Sequence, residues 1–178
     1  MRGINPLVVA PAMVLVLAHA APAAAANAAA PAPPSPEAQA AIGVLKAAFP
    51  GGDVRVKEVD AAYVNVSTTS GRTQYVSVSG RLYGPAGAQK RLIYSYVAEI
   101  AGPIEQSLAV RLLNENQSGA LPFGYWALTN VTPAGHRTVV YQAEVAADAT
   151  PTSVSYMVSR MAKIADALEA EMTGKDVN

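Results

Sequence analysis

Val154, Val158, Met161, Ala165, Leu168 and Met172 recur at intervals of four, three, four, three and four residues. Only a helix brings positions spaced in this way onto one side, so residues from about Pro151 onward are expected to form a long amphipathic helix. Thr150-Pro151 supplies a capping residue followed by proline at the first helical position, and Gly174 marks the end. Five large apolar side chains lie along that stripe. Full burial would contribute at most ~1.5–3 kcal/mol for each. A chain carrying this helix must offer an apolar surface for it to cover.

That surface is a sheet. From Asp53 the apolar period changes to two: DVRV and YVNVST place Val54 and Val56, then Val64 and Val66, on one side. TSGR (69–72) holds the glycine of a tight reversal. RTQYVSVSGRLY (72–83) then sets Val76, Val78 and Leu82 against Tyr75, Ser77, Ser79 and Arg81. After the loop GPAGAQ, RLIYSYVAEI (91–100) forms another strand. The short connections make these strands antiparallel neighbours.

Two shorter helices are expected as well. Ser35-Pro36-Glu37 reads as an N-cap, a proline at N1 and an acid at the positive end of the dipole. Ala38, Ala41, Ile42, Leu45 and Phe49 then form a stripe that Pro50-Gly51-Gly52 stops. Gly102-Pro103 opens the next helix, with Ile104, Leu108 and Leu112 in line and Leu113 beside them. NENQSG ends it, because Asn114, Asn116 and Gly119 all tolerate the left-handed turn that closes a helix. Strands at about 121–129 and 137–145 follow. The order α-βββ-α-ββ-α is an α+β fold, an antiparallel sheet with packed helices.

The N-terminus has the order of a secretory signal peptide. MRGINP is followed by the short apolar run LVVAPAMVLVLAHA and then by small residues in AAPAAAANAAAP. The run is too short to span a bilayer and Pro11 interrupts it, so no stable membrane anchor is expected. Cleavage after Ala20 or Ala26 fits equally well. The expected organisation is a signal peptide at 1–26, an Ala/Pro-rich linker at 27–35 and an α+β domain at 36–174. The address is periplasmic or secreted, in a bacterium.

Composition narrows the chemistry. Lys+Arg and Asp+Glu number 13 each, with none of the basic excess of a nucleic-acid binder, so no nucleic-acid partner is expected. The absence of cysteine removes disulfides, thiolate nucleophiles and sulfur-ligated metal sites. His136 stands alone beyond the leader, with no orienting carboxylate or nucleophile nameable from sequence. Asp53, Glu58 and Asp60 are interleaved with Arg55 and Lys57, unlike a calcium loop. GPAGAQKR lacks phosphate-loop spacing and lies between strands. Glu99 and Glu105 flank a Gly-Pro turn with nothing to position them as a catalytic pair. No catalytic, metal or cofactor residues are assigned.

A family resemblance emerges from Leu112 onward. Leu112-Leu113-Asn114, Phe123-Gly124 with Tyr125 to Leu128, Val139-Val140-Tyr141, Thr152-Ser153 and SYMVSRMAKIADALE (155–169) follow in an order that resembles the YbjN family, across about residues 36 to 173. The resemblance implies the fold of type III secretion chaperones. That family is described loosely as sensory-transduction regulators. The secretion chaperones that share the fold are non-catalytic homodimers that bind extended segments of client proteins. Those chaperones are cytosolic, whereas this chain carries an export signal.

The aromatic residues bear most directly on function. In strand 91–100, Leu92, Tyr94, Tyr96, Ala98 and Ile100 fall on one side, with Ile93 and Val97 on the other. In strand 121–129, Leu121, Phe123, Tyr125 and Ala127 oppose Trp126 and Leu128. A one-sided antiparallel sheet alternates cleanly, and these strands do not, so a second covered face is expected. Its cover is either a helix or a partner, and Tyr94, Tyr96, Tyr125 and Trp126 are the candidate interface residues. The leading expectation is an exported, non-catalytic protein-binding, chaperone-like or regulatory domain, acting with a protein partner or as a homodimer. The alternatives are a small-molecule sensor with a Tyr/Trp-lined groove, or a periplasmic hydrolase.

Overall fold

The computed structural model describes residues 33–69 and 71–173. The expected signal peptide and residues 27–32 of the linker lie outside the described residues, as does Gly174. The described chain runs α1 (Pro36–Ala48), β1 (Val54–Glu58), β2 (Ala61–Ser67), β3 (Thr73–Ser79), β4 (Lys90–Ala101), α2 (Gln106–Gln117), β5 (Gly124–Leu128), β6 (His136–Ala146) and α3 (Pro151–Thr173). The six strands form one antiparallel sheet in the order β1-β2-β3-β4-β6-β5. The α+β class stands, with four strands rather than three ahead of α2. The alternating stretch after Asp53 folds back on itself at Val59-Asp60, and its pairing of Val54 with Val64 keeps both valines on one side. A fold-back of this kind preserves period-two alternation, which hides the turn from a pattern reading.

The capping chemistry appears where the sequence places it. The Ser35 hydroxyl accepts a hydrogen bond from the Ala38 N–H at 3.0 Å and donates to the Val59 carbonyl, fixing α1 against the β1–β2 turn. Thr150 Oγ1 accepts from the Ser153 N–H at 3.2 Å at the start of α3. Gly119 has φ +69° just past α2, the left-handed conformation expected there. The second helix starts later than expected, because Gly102 to Glu105 form its lead-in.

All three helices pack on one face of the sheet, and a single core fills the space between. Leu45 from α1, Val64, Val76, Val78, Ile93, Val139 and Tyr141 from the sheet, and Val158 and Met161 from α3 are fully buried in it. The stripe expected on α3 is the buried one, with Met172 at its partly covered end. Leu82 does not continue β3: it lies past Ser79, exposed. Gly80 takes that place at the end of β3, where an added Cβ would lie 1.6 Å from the Glu37 carbonyl oxygen. The first turn of α1 therefore rests directly on the backbone of Gly80.

In β4 the register shifts between Tyr96 and Ala98, so that Tyr96 pairs with Val140 and Ala98 with Val139. The extra residue, Val97, reverses the side on which everything beyond it points. Ala98 and Ile100 accordingly join the helix-side core rather than the Tyr94 side assigned from strict alternation.

Candidate functional site

No helix covers the other face of the sheet among the described residues. The register defines one row of side chains that crosses all six strands on that face. Arg55 pairs with Tyr63, Tyr63 with Ser77, Ser77 with Tyr94, Tyr94 with Gln142 and Gln142 with Tyr125. Beside this row, Ala61, Tyr94 and Val140 form a second, smaller apolar cluster with Leu92 and Tyr96 packed against it. Tyrosines shield one another here. Tyr94 and Tyr96 meet edge to face at 5.5 Å between ring centres, and Tyr63 and Tyr75 do so at 5.2 Å. The Lys57 ammonium lies 3.9 Å from the centre of the Tyr96 ring.

Two adjoining hollows of about 270 and 370 Å3 run along this face and share Ser79, Leu92 and Gln142. Tyr94, Tyr96 and Val140 line the first, and Tyr83 and Tyr125 the second. Charged groups rim them as matched pairs. Arg81 faces Asp60 at 3.4 Å, and Lys90 donates to Glu144 at 2.8 Å. The Lys90 bond, aided by a hydrogen bond from Tyr83, holds the Glu144 carboxyl below its usual range. Burial first, then Glu144, pushes the Tyr83 hydroxyl up to about 12.

Of the four aromatics singled out from sequence, Tyr94, Tyr96 and Tyr125 share this open face. Trp126 does not. It is 6% exposed on the helix-covered face, 4.7 Å from Tyr141 between ring centres. Its neighbours explain why. The Asn116 carboxamide accepts from the Trp126 N–H at 2.7 Å and donates to the Trp126 carbonyl at 3.0 Å, while the indole Nε1 donates to Glu115 at 2.6 Å. Gly124 opposes Ala143, and a Cβ there would lie 2.6 Å from the Gln142 carbonyl and 2.9 Å from the Tyr141 ring. Only a residue without a side chain fits so close an approach.

A polar cluster under α3 escaped the sequence reading. Arg72 donates to Asp166 at 2.6 Å and lies 3.7 Å from Glu169, whose side chain is fully buried. Gln74, also fully buried, donates to the Ser95 hydroxyl at 2.9 Å and to the Tyr96 carbonyl at 2.8 Å. Ser95 passes the chain on to the Tyr75 carbonyl at 2.7 Å. Asp166 and Glu169, one turn apart beside Ala165 and Leu168, were the available signal: two acids bordering a buried stripe need a buried partner. These groups tie helix to sheet and open onto none of the hollows described above.

His136 has the carboxylate that sequence could not name. Its Nδ1 pairs with Glu99 across β4 and β6, at an exposed position. No nucleophile bonds the other ring nitrogen among the described residues. No group of three or more His, Asp or Glu side chains suited to a metal ion occurs among them either. No described helix is long and apolar enough to cross a membrane. No protein-family model matches this chain, and no curated protein is significantly similar to it.

Proposed function

We propose that this chain is an exported, non-catalytic protein-binding domain that works through the open face of its sheet. One observation carries the reading: an apolar cluster lies on each face of the sheet, and helices cover only one of the two faces. A solvated face on an antiparallel sheet is ordinarily polar. This one has Ala61, Tyr94 and Val140 buried at its floor and tyrosines around them, the residue type that combines apolar area with a polar tip at interfaces. The resemblance to the YbjN family supports the same direction, since chaperones of the implied fold are non-catalytic and bind other chains. The partner is a protein, either a client or a second copy.

A small-molecule sensor is the second reading. It is favoured by the convergence of Asp60, Gln142 and Glu144 on the two adjoining hollows.

Light scattering on the mature protein, with affinity capture from an envelope extract, tests the first reading. Tyr125→Lys and Tyr96→Glu are the comparison variants. Self-association or a retained protein that both variants lose supports it. A wild-type monomer that retains nothing sinks it. A thermal shift with a small molecule, abolished by Gln142→Ala, would transfer support to the sensor.

A further inference from the structure

The helices do not seal the sheet equally. Eight residues of α3 are buried, whereas α2 buries Leu112 alone. A close-packed seam leaves few voids larger than a water molecule. The seam between α2 and β5 instead holds a groove of about 280 Å3, lined by Ile104, Leu112, Leu113, Trp126 and Leu128 among others. Leu113, on its wall, is 58% exposed, so the groove is open to solvent. Its one polar side chain besides the indole is Asn116, which uses both ends of its carboxamide on the Trp126 backbone. The indole Nε1 is taken by Glu115. The groove therefore presents apolar surface and no free polar side chain.

Ile104 also lines a second hollow, of about 360 Å3, with Val131, Arg137 and the turns at Gly102-Pro103 and Gly135. The Gly102 N–H donates to the Gly135 carbonyl at 3.2 Å, which ties the two turns together. Arg137 pairs with Ile100 across β4 and β6, and so shares the helix-covered side with it. Arg55, Arg72, Arg81 and Arg111 each have a carboxylate partner. Arg137 is half-buried and has none among the described residues. The carboxylate closest in register, Glu99, faces the other side and pairs with His136. Glu105, next to Ile104, lines a different hollow beside Arg111 and Glu171. A cation partly withdrawn from water without a counterion favours an anion that comes to it.

We propose that these adjoining hollows form one binding site for a free carboxylate on a single alkyl chain, an anion of the fatty-acid type. The chain fills the α2–β5 groove, and the carboxylate meets the Arg137 guanidinium past Ile104. Both halves of the ligand follow from the surfaces that would receive them. The groove is apolar and uncharged, and a planar guanidinium offers a carboxylate two parallel N–H donors. Size limits the occupant as well. A groove of about 280 Å3 lies at the lower end of the ~300–1,000 Å3 usual for ligand pockets, which suits one chain and not the two of a membrane phospholipid. The site is on the opposite side of the sheet from the tyrosine face and does not depend on what that face binds.

Trp126 is the only tryptophan of the chain and lines the groove, so its fluorescence reports filling. The experiment titrates the mature protein with decanoate, decanol, decyltrimethylammonium and acetate below their micelle concentrations. Calorimetry alongside detects binding that the indole does not sense. Decanoate should shift the emission and bind at least ~10-fold more tightly than decanol, the scale of one hydrogen bond to a charged group. Decyltrimethylammonium should bind more weakly than decanol, and acetate should not register. Arg137→Gln should erase the margin of decanoate over decanol while leaving decanol binding in place. Leu113→Glu, at an exposed position, should weaken both. Equal binding of decanoate and decanol by the wild type overturns the carboxylate site without recourse to any variant. Neither heat nor an emission change with decanoate overturns the whole site, as does decanoate binding that Leu113→Glu leaves untouched. Capture by phosphatidylglycerol vesicles with no response to decanoate overturns it in favour of a membrane surface.

Discussion

The guanidinium of Arg72, immediately ahead of β3, meets the carboxylate of Asp166 on α3 at 2.6 Å, with Glu169 at 3.7 Å completing the group. The contact joins positions 94 residues apart and fixes the rotation of α3 on the sheet. Breaking one partner of a buried pair leaves the other charge without its counterion. Asp166→Ala should therefore destabilise by about 3 kcal/mol, near the low end for such pairs because Arg72 keeps Glu169 within reach. Urea unfolding monitored by far-ultraviolet circular dichroism checks it. A loss below ~1 kcal/mol, typical of surface pairs, would show that the bridge behaves as an exposed one.

Gly80→Ala is expected to be worse than most core truncations. Its new methyl carbon would fall 1.6 Å from the Glu37 carbonyl oxygen, and backbone on both sides cannot rotate away as a side chain could. Either α1 lifts or the end of β3 moves, at a cost above ~3 kcal/mol. A melting temperature unchanged from wild type would mean that α1 does not rest on this strand.

Tyr141→Phe should leave stability unchanged or raise it slightly. The Tyr141 hydroxyl is buried without a well-formed hydrogen bond among the described residues, and burial pushes its pKa up. Removing a poorly satisfied polar atom while keeping the ring on Trp126 recovers desolvation free energy, on the order of 1 kcal/mol. A large loss in denaturant titration would reveal a partner for that oxygen.

Tyr83 gives a pH signature. Its folded pKa, about 12, lies above the ordinary tyrosine value of 10.0, so the folded state holds the phenolic proton more tightly than the unfolded chain does. That contribution to stability is fully present below the unfolded pKa and is lost as pH rises through the folded one. In an ultraviolet phenolate titration, Tyr83→Phe should remove a late-ionising group and leave the earlier transitions in place. Loss of an early transition instead would contradict the hydrogen bond between this hydroxyl and Glu144.

The elements of this fold were largely legible because helices and strands write their period into apolar spacing. The α3 stripe, the Ser35 and Thr150 caps and the left-handed Gly119 all followed from local chemistry. What failed to show depends on contacts between distant residues. Val97 looks like any strand valine until its pairing partners are known, so Ala98 and Ile100 fell on the wrong side. Asn116 looked like a turn former because its partner is a backbone, and backbones have no letter in a sequence. Trp126 and Tyr125, adjacent in sequence, both qualified as interface residues. Only the direction of the helices decided which of them was covered.

The extra residue at Val97 makes β4 sensitive to parity as well as to composition. Before it, odd-numbered side chains face the helices; after it, even-numbered ones do. Deleting Val97 would remove the extra residue and leave Tyr96 opposite Val140 and Ala98 opposite Val139 in an unbroken ladder, so Ala98 and Ile100 would stay inward and Glu99 outward. A one-residue deletion elsewhere in β4 would instead turn the residues between it and Val97 to the opposite face, unless an insertion on the same side of Val97 restores them. Tolerance to deletion in this strand should therefore peak at a single valine and fall with distance from it, and a deletion scan read out by soluble yield would trace it.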